Sequence, residues 1–348
     1  YNVEKYIAET LESLIHQTIG FKQNIQVILV NDGSTDRSGS VCQKYKESNP
    51  NNIIYIEKEN GGVSSARNAG FPYIEGKYVN FLDSDDLWEK HTFARVYSFF
   101  EKHQDEIDVV SCRIKRFEAK DCFHSLDYKF TNGNRVIDIL STDSEKLVQL
   151  SAPSTFIKAQ AVKENDGFPE YMSISEDSIY FNNIILQKCK YGVMKSALYY
   201  YRSRLSDNSA IQRQHQSKAF YNKQPSDYFY GLITLSEKHC GKVIRYIQQL
   251  ISYDIGWRTT IIPPSGLLTD DEKNKYYQLI KDVYTYIDDD IVVKHEVHQS
   301  ILVKSFIYNL KTGGDFFANL TVDNEQNAVF FEDNFLIQLD TYRNGVEF

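Results

Sequence analysis

Residues 77–86 read KYVNFLDSDD, a short strand-like run that ends in three aspartates within four positions. Crowded carboxylates repel one another, and burying an unpaired one is costly. The sequence therefore leaves two interpretations of Asp83, Asp85 and Asp86. Either they form a turn that lies fully in solvent, or a cation holds the cluster together.

Two similar runs precede this one, and each also stops at a polar turn. IQVILVNDGSTD (25–36) reaches Asp32, and NIIYIEKENGG (52–62) reaches Asn60. Helical patterns separate the runs, and this alternation is typical of crossover units and a mostly parallel, Rossmann-like α/β sheet with covered faces. The ligand crevice of such a sheet lies beyond the carboxyl ends of its strands. We therefore expect Asp32, Asn60 and Asp83 to meet there.

The overall composition is that of an ordinary globular chain with an acidic balance. The chain has 348 residues, of which 42% are hydrophobic, and its formal net charge is −8. Two or three cores are expected, and a nucleic-acid partner is not. No apolar run is long enough to cross a bilayer, and no signal peptide is visible. The five cysteines are scattered without CxxC spacing, which favours reduced thiols in the cytoplasm.

The pattern divides the chain into three parts. An α/β domain is expected over 1–212, and because such a domain opens with a strand, we expect one more strand upstream of Tyr1. Residues 213–313 have helical spacing, and the default interpretation of this part is a spacer. Residues 314–348 alternate short apolar segments with turn residues, as at the start of a β-rich module. We therefore expect the chain to be a piece of a longer protein.

Five motifs together resemble the GT-A, family 2 glycosyltransferases, and their order and spacing agree over about the first 210 residues. They are YNVEKYI (1–7), VNDGSTD (30–36), NGGVSSARNAG (60–70), FLDSDD (81–86) and SEDSIYF (175–181). The resemblance implies a GT-A fold and an inverting, metal-dependent hexosyltransferase. Its donor would be a UDP-sugar, and its acceptor a hydroxyl of a polysaccharide, a teichoic acid or another glycan. The helical extension is similar in layout to bacterial enzymes that decorate or build wall teichoic acid and capsule.

On the donor side, the resemblance implies a divalent cation, Mn²⁺ or Mg²⁺, which takes oxygen ligands and neutralises the diphosphate. Asp85 is expected to be its direct ligand, and Asp83 to contact the ribose or to reach the metal through water. Ser84 is expected to lie in the same nucleotide-sugar site. Asp86 is expected to cap the helix that follows.

Four more positions match nucleotide contacts of the family. Asp32 would accept a hydrogen bond from the uracil base, although an Asx turn after the strand is an alternative use of this carboxylate. Tyr1 would lie near the uracil. Asn60 and Arg67 would contact the base and the phosphates, and the alternative for Arg67 is a surface charge on a helix.

A second acidic pair, Glu176 and Asp177, lies far along the chain. By resemblance Asp177 is the base that takes the proton of the acceptor hydroxyl, and Glu176 positions the acceptor. The alternative is an acidic first helical turn that Ser175 caps.

Two arginines, Arg202 and Arg204, follow an aromatic strand and resemble a flexible basic loop that closes over the diphosphate. A solvated loop is the alternative for both.

Two other function classes stay open. The chain could be a nucleotide-sugar-binding scaffold without turnover, or one domain of a bifunctional polymer synthase. The expected location is the cytoplasm, and the sequence leaves open both an association with the inner face of the cell membrane and a homo-oligomer formed through the C-terminal region. The transferred sugar and the linkage are not readable from short motifs.

Overall fold

The computed structural model describes residues 1–204, 215–259, 261, 263–294, 311, 320–322, 328–332 and 335–339. The chain divides into two compact units. The first is Tyr1–Ile251 with Pro263–Thr269, and the second is Ser252–Ile262 with Asp270–Phe348. The boundaries that the sequence suggests, after residues 212 and 313, fall elsewhere and stay predictions.

The first unit is an α/β fold, as expected. Its strands are β1 (Val27–Asp32), β2 (Ile53–Lys58), β3 (Tyr78–Asn80), β4 (Leu87–Trp88), β5 (Val109–Glu118), β6 (Cys122–Phe123), β7 (Arg135–Asp138), β8 (Thr155–Lys158) and β9 (Lys190–Ser203). Its helices are α1 (Ile7–Ile15), α2 (Phe21–Asn24), α3 (Ser38–Ser48), α4 (Gly62–Gly70), α5 (Thr92–Lys102), α6 (Ala159–Glu164), α7 (Glu176–Lys188), α8 (Lys223–Cys240) and the first turns of α9 (Arg245–Thr259).

Strands β1 and β2 form the crossover unit that the alternating pattern predicts. They pair in parallel, with Asp32 opposite Lys58, and α3 connects them. Helix α1 buries Ile7, Leu11 and Leu14 along one face, as their helical spacing predicts. The carboxyl ends of both strands thereby reach the same edge of this small sheet.

The larger sheet is mixed, which corrects the expectation of a mostly parallel one. Its strand order is β3-β8-β5-β9-β4, with β6 on β5 and β7 on β9. Only β5 and β9 pair in parallel among these strands, and the other pairs are antiparallel. One reason is that no α-helix lies between β5 and β8, so this part of the chain returns antiparallel to its neighbour without a crossover.

Aromatic rings fill the core of this unit, as their abundance in the sequence suggests. Trp88 is 3% exposed, with its ring centroid 5.0 Å from that of Phe156 and 4.9 Å from that of Tyr199. Its indole N–H donates to Asn80 Oδ1 over 3.0 Å. This cluster joins β3, β4, β8 and β9, and so fixes the strand ends that flank the acidic turn at 83–86.

The second unit begins within α9 and continues with α10 (Asp270–Tyr284) and α11 (Asp289–Lys294). A helical region after the core is therefore confirmed. Strands β10 (Leu320–Val322), β11 (Ala328–Glu332) and β12 (Phe335–Leu339) form an antiparallel sheet within the expected β-rich stretch, and the rest of that stretch lies outside the described residues. In the part of the chain that the structure describes, no helix is both long and apolar enough to cross a membrane.

Gly192 on β9 allows helix α5 to pack directly on the sheet. A Cβ added there would lie 2.6 Å from Phe99 Cε1 and 3.0 Å from both Ile107 Cδ1 and Val110 Cγ2. We therefore expect Gly192→Ala to lower the free energy of unfolding by about 1–3 kcal/mol, because overpacking forces buried neighbours to shift. Urea unfolding followed by far-UV circular dichroism measures this loss.

Gly70→Ala is the matched control for this substitution. Gly70 lies at the end of α4 with a negative φ, and a Cβ there would make only ordinary contacts, 3.6 Å from Ile28 Cγ2. This variant should unfold at the same urea concentration as the unmodified chain, or slightly higher. Equal losses in both variants would show that the packing at Gly192 is not special.

Candidate active site

Strand ends and a helix start bring the predicted residues of the first unit together. Asp32 ends β1, Asn60 follows β2, and Asn60 Nδ2 donates to the main-chain oxygen of Asp32 over 2.9 Å. Gly33 is required between them, because its φ is +70° and a Cβ would lie 2.8 Å from the Asn60 nitrogen. The predicted convergence at the strand ends is therefore present for these two residues.

Asp32 as a residue is only 4% exposed, and its carboxylate already accepts three hydrogen bonds. Oδ1 accepts from Lys58 Nζ at 2.7 Å and from the Gly61 N–H at 2.9 Å, and Oδ2 accepts from the Gly62 N–H at 2.9 Å. Burial by itself would raise the pKa of Asp32, but these donors outweigh it and lower the pKa. One acceptor position stays available on Oδ2 for an added ligand.

Lys58 is a site residue that the motif reasoning missed. It is the last residue of β2 and pairs in register with Asp32, so a basic side chain at the end of the neighbouring parallel strand was the available signal. The Asx-turn alternative for Asp32 is wrong, because Asn31 Oδ1 accepts the Ser34 N–H over 3.1 Å and thereby closes that turn.

Arg67 joins the two acidic motifs. It lies on α4 with its side chain 12% exposed, which excludes the surface-charge alternative. Nη1 donates to Glu176 Oε1 over 2.8 Å, Nη2 lies 3.5 Å from Asp83 Oδ1, and the guanidinium lies 5.0 Å from the centre of the Phe168 ring. Residues separated by about a hundred positions thus share one cation.

The pKa values of two acidic groups around Arg67, Asp83 and Glu176, are raised above their usual range. Burial raises the pKa of Asp83 to about 6, Arg67 opposes this shift, and Asp85 and Asp177 add to it. The Asp83 side chain still has 40% of its surface exposed, so a ligand can reach it. Burial and the neighbouring Asp177 likewise raise the pKa of Glu176, and Arg67 opposes them.

Asp177 is fixed at the start of α7 by two main-chain donors. Oδ1 accepts from the Ser178 N–H at 2.8 Å, and Oδ2 accepts from the Ala152 N–H at 3.0 Å. Ser175 does not cap this helix with its side chain; it adopts the left-handed region, with φ at +60°. Such a conformation costs about 1–2 kcal/mol for a residue other than glycine. The Ser175 cap of that alternative is therefore wrong, whereas Glu176 and Asp177 do lie in the first turn of α7.

The expected role of Glu176 in positioning an acceptor stays a prediction. Its side chain is buried, and one of its oxygens accepts from Arg67. Glu176 thereby fixes the Arg67 guanidinium, which also faces Asp83.

Asp85 and Asp86, two of the three aspartates in the turn at 83–86, lie in different surroundings. The Asp85 carboxylate accepts a hydrogen bond from Arg204 Nη2 and is about one-fifth exposed. The Asp86 carboxylate is 1% exposed and accepts from the Tyr199 hydroxyl and from the Arg202 N–H, the latter over 2.7 Å. Burial, together with Asp83 and Asp85, raises the pKa of Asp86 to about 8.

The expected helix cap at Asp86 is wrong, because α5 begins only at Thr92, and Asp86 instead anchors the acidic turn to β9. The three aspartates therefore do not share one environment. Asp86 is buried and hydrogen-bonded, whereas Asp83 and Asp85 face cationic groups.

Arg202 is not part of a flexible loop, which corrects that expectation. It lies in β9, and its guanidinium donates to Glu9, to Glu118 and to the main-chain oxygen of Asp85. Its side chain is only 4% exposed, so it is a buried support for the main chain of the acidic turn at Asp85. Arg204 lies after the strand, with its guanidinium 4.7 Å from the centre of the Tyr6 ring. The rest of the predicted loop, from residue 205 on, lies outside the described residues.

Tyr1 and Ser84 lie beside the same turns. The Tyr1 side chain is 57% exposed, and the adjacent Asn2 donates its N–H to Ser34 Oγ over 3.1 Å. The main-chain oxygen of Ser84 accepts from Thr10 Oγ1 over 3.1 Å. Tyr1 is therefore next to a residue that contacts the turn after Asp32, and Ser84 lies in the turn that contains Asp83.

The donor set at this edge suits a hard divalent cation. Across the described ranges, no group of three or more His, Cys, Asp or Glu residues is arranged to hold a metal ion. Asp83 and Asp85 nevertheless offer two partly exposed carboxylates, each of which already has an arginine partner. Mg²⁺ and Mn²⁺ use one or two carboxylates and complete their shell with water and phosphate oxygens, so the residues fit such an ion.

Comparison with known proteins supports the motif reasoning. Residues 1–162 match the Glycosyl transferase family 2 model. The chain is 42% identical over 295 residues to the minor teichoic acid biosynthesis protein GgaB of Bacillus subtilis, covering 84% of this chain and 32% of that protein. It is 33% identical over 257 residues to GgaA of the same organism, covering 73% of this chain and 57% of that protein.

A solved structure shares the fold. The crystal structure of Staphylococcus aureus TarS 1–349 in complex with UDP-GlcNAc superposes with a TM-score of 0.68 at 19% identity, covering 98% of this chain and 97% of that one. At this identity the match shows the GT-A-like α/β fold. The resemblance to family 2 that the motifs indicated is thus confirmed. Residues 1–162 of the chain thus form a glycosyl transferase family 2 domain.

Proposed function

We propose that this chain transfers a sugar, with inversion, from a UDP-sugar to a hydroxyl of a teichoic acid or related cell-surface polymer. The observation that carries the proposal is the contact of one cation, Arg67, with both acidic motifs. It brings a donor-side carboxylate, Asp83, and the helix start that carries Asp177 into one site. The names of GgaB and GgaA, both teichoic acid biosynthesis proteins, support the acceptor class.

On the donor side, Asp32, Asn60 and Tyr1 surround the edge where the base and ribose would lie. Asp85 and Asp83 would hold a Mn²⁺ or Mg²⁺ ion, with Ser84 between them in the turn. When bound, such an ion would neutralise the diphosphate that leaves. Arg204 already balances the charge of Asp85 and would also attract the phosphates.

On the acceptor side, Asp177 would act as the general base. Its carboxylate is oriented by the Ser178 and Ala152 N–H groups, so it is held ready without rotating. The acceptor oxygen attacks the anomeric carbon, its proton passes to Asp177, and the bond from that carbon to the diphosphate oxygen breaks as UDP leaves. Attack from the face opposite the diphosphate inverts the anomeric configuration.

A second candidate is one domain of a larger polymer synthase. The chain spans only about a third of the length of GgaB and just over half of GgaA. In that case the transfer described above would be one of two activities in the whole protein.

The first test concerns the ligand role of Asp85. The unmodified chain should bind UDP more tightly with Mn²⁺ than with EDTA, and more tightly than it binds GDP or CDP. Asp85→Asn keeps the shape of the side chain but removes its charge, so UDP affinity with Mn²⁺ should fall at least tenfold, to its level in EDTA. Isothermal titration calorimetry measures all of these affinities.

Asp105→Asn is the matched control, because Asp105 is exposed in the turn after α5. It should leave UDP affinity unchanged under both conditions. Unchanged Mn²⁺-dependent affinity in Asp85→Asn would remove the ligand assignment. If the unmodified chain bound none of the three nucleotides, the donor proposal itself would fail and a scaffold role would replace it.

The next test separates the base from the donor site. Asp177→Asn should keep UDP affinity within about twofold while it lowers the transfer rate by about 10²–10⁴-fold, because a general base contributes on that order. The assay follows UDP release from a panel of UDP-sugars in the presence of purified wall teichoic acid. A rate equal to that of Asp105→Asn would place the base elsewhere.

A further inference from the structure

The helices that follow the α/β core are attached to α7, the helix that begins with Asp177. Two tyrosine hydroxyls make this connection. Tyr228 on α8 shares a hydrogen bond of 2.8 Å with Ser178 Oγ, and Tyr246 on α9 donates to Asn182 Oδ1 over 2.9 Å. Tyr228, Tyr246 and Asn182 are at most 1% exposed. Buried polar contacts of this kind are strong and geometrically specific.

The Tyr246 hydroxyl has a second partner, in the segment just before β8. It accepts the N–H of Gln149 over 3.0 Å while it donates to Asn182. Asn182 Nδ2 in turn donates to the main-chain oxygen of Gln149 over 2.9 Å and to that of Ser178 over 2.8 Å. Because carbonyl oxygens only accept, these partners fix which end of the Asn182 amide is the nitrogen. Both main-chain groups of Gln149 are thereby held.

The same segment continues to the carboxylate of Asp177. Gln149 Nε2 donates to the Ser151 oxygen at 2.9 Å and to Thr155 Oγ1 at 2.7 Å, so the segment is closed on itself. The next residue, Ala152, donates its N–H to Asp177 Oδ2 over 3.0 Å. A continuous set of hydrogen bonds therefore leads from Tyr246 through Gln149 to the group that orients Asp177.

We infer that Tyr246 is a positioning residue for the transfer reaction. Its hydroxyl fixes the segment 149–152 and helix α7 relative to each other, so that the Ala152 N–H and the Asp177 carboxylate keep their alignment. This gives the start of the helical region a function beyond that of a spacer. The inference rests on the proposed role of Asp177 as the base.

The test is Tyr246→Phe, which keeps the ring and removes the hydroxyl. The Gln149 N–H and Asn182 Oδ1 then lose a buried partner, and segment 149–152 loosens. We expect kcat for UDP release with wall teichoic acid to fall about tenfold to a hundredfold, because small misplacements of a reacting group have effects of this size. The KM for the UDP-sugar and the calorimetric affinity for UDP should stay within twofold.

Tyr180→Phe is the matched control. Tyr180 lies on α7 itself, is 3% exposed, and its hydroxyl has no hydrogen-bond partner among the described residues. This substitution therefore removes a buried tyrosine hydroxyl without breaking the set of bonds around Gln149. It should leave kcat and amide exchange unchanged.

A second readout does not depend on activity. Hydrogen–deuterium exchange followed by mass spectrometry should show faster exchange in peptides covering 148–156 of Tyr246→Phe, with other peptides of the core unchanged. Thr155→Val, which removes a partner of the Gln149 side chain, should loosen the same peptides and lower kcat in the same direction. It provides the test if Tyr246→Phe does not fold.

The outcomes distinguish this inference from the proposed function. Normal kcat in Tyr246→Phe and Thr155→Val beside an inactive Asp177→Asn would overturn the inference alone. Exchange that rises throughout the core, or equally in Tyr180→Phe, would also overturn it, because the hydroxyl would then be merely structural. Normal transfer by Asp177→Asn would overturn the base assignment and the inference with it. The double variant offers one more check. In the Asp177→Asn background, Tyr246→Phe should have little further effect on the residual turnover, so the two effects should not add.

Discussion

The site depends on the guanidinium of Arg67 lying between Asp83 and Glu176. Asp83 belongs to the turn after β3, and Glu176 begins α7, so both elements bring negative charge to the same place. Without a shared cation these carboxylates would repel each other, and breaking a buried pair costs about 3–5 kcal/mol because the remaining charge lies uncompensated. Arg67 therefore permits the acidic turn at 83–86 and the acidic start of α7 to lie beside each other, and the Phe168 ring packs against its guanidinium.

Two further arginines, Arg202 and Arg204, contact the acidic turn at 83–86. Arg202 is buried and connects Glu9 and Glu118 to the Asp85 main chain, and its own N–H holds Asp86. Arg204 is more exposed and contacts the Asp85 carboxylate directly. The two arginines have similar sequence surroundings but different tasks, because one side chain points into the protein at the end of β9 and the other follows the strand. Arg202 thus fixes the main chain of the turn, and Arg204 balances the charge of the Asp85 carboxylate.

Local sequence is enough to predict the strand ends, because a short, β-branched apolar run that stops at a polar turn is typical of a buried strand. Asp32, Asn60 and Asp83 are predicted in this way. The predictions for Asp86 and Arg202 are wrong because their partners lie more than a hundred positions away in the chain, as the separations of 113 and 193 residues to Tyr199 and Glu9 show. The antiparallel strand pairs of the larger sheet also join residues that are far apart in the chain, and no spacing pattern in the sequence predicts them. Motif resemblance predicts a role for each motif residue, whereas the residues that hold it in place can be found only from the packing.

The segment that matches the family model ends at residue 162, before the helix that carries Asp177. The candidate residues from Tyr1 to Asp85 lie inside that segment, whereas α7 and the tyrosines that hold it come from the chain beyond. The family match therefore includes the strand-end residues and leaves out Glu176 and Asp177. Because Tyr228 and Tyr246 reach α7 from helices that follow the matched segment, the position of α7 depends on residues that the family model does not contain.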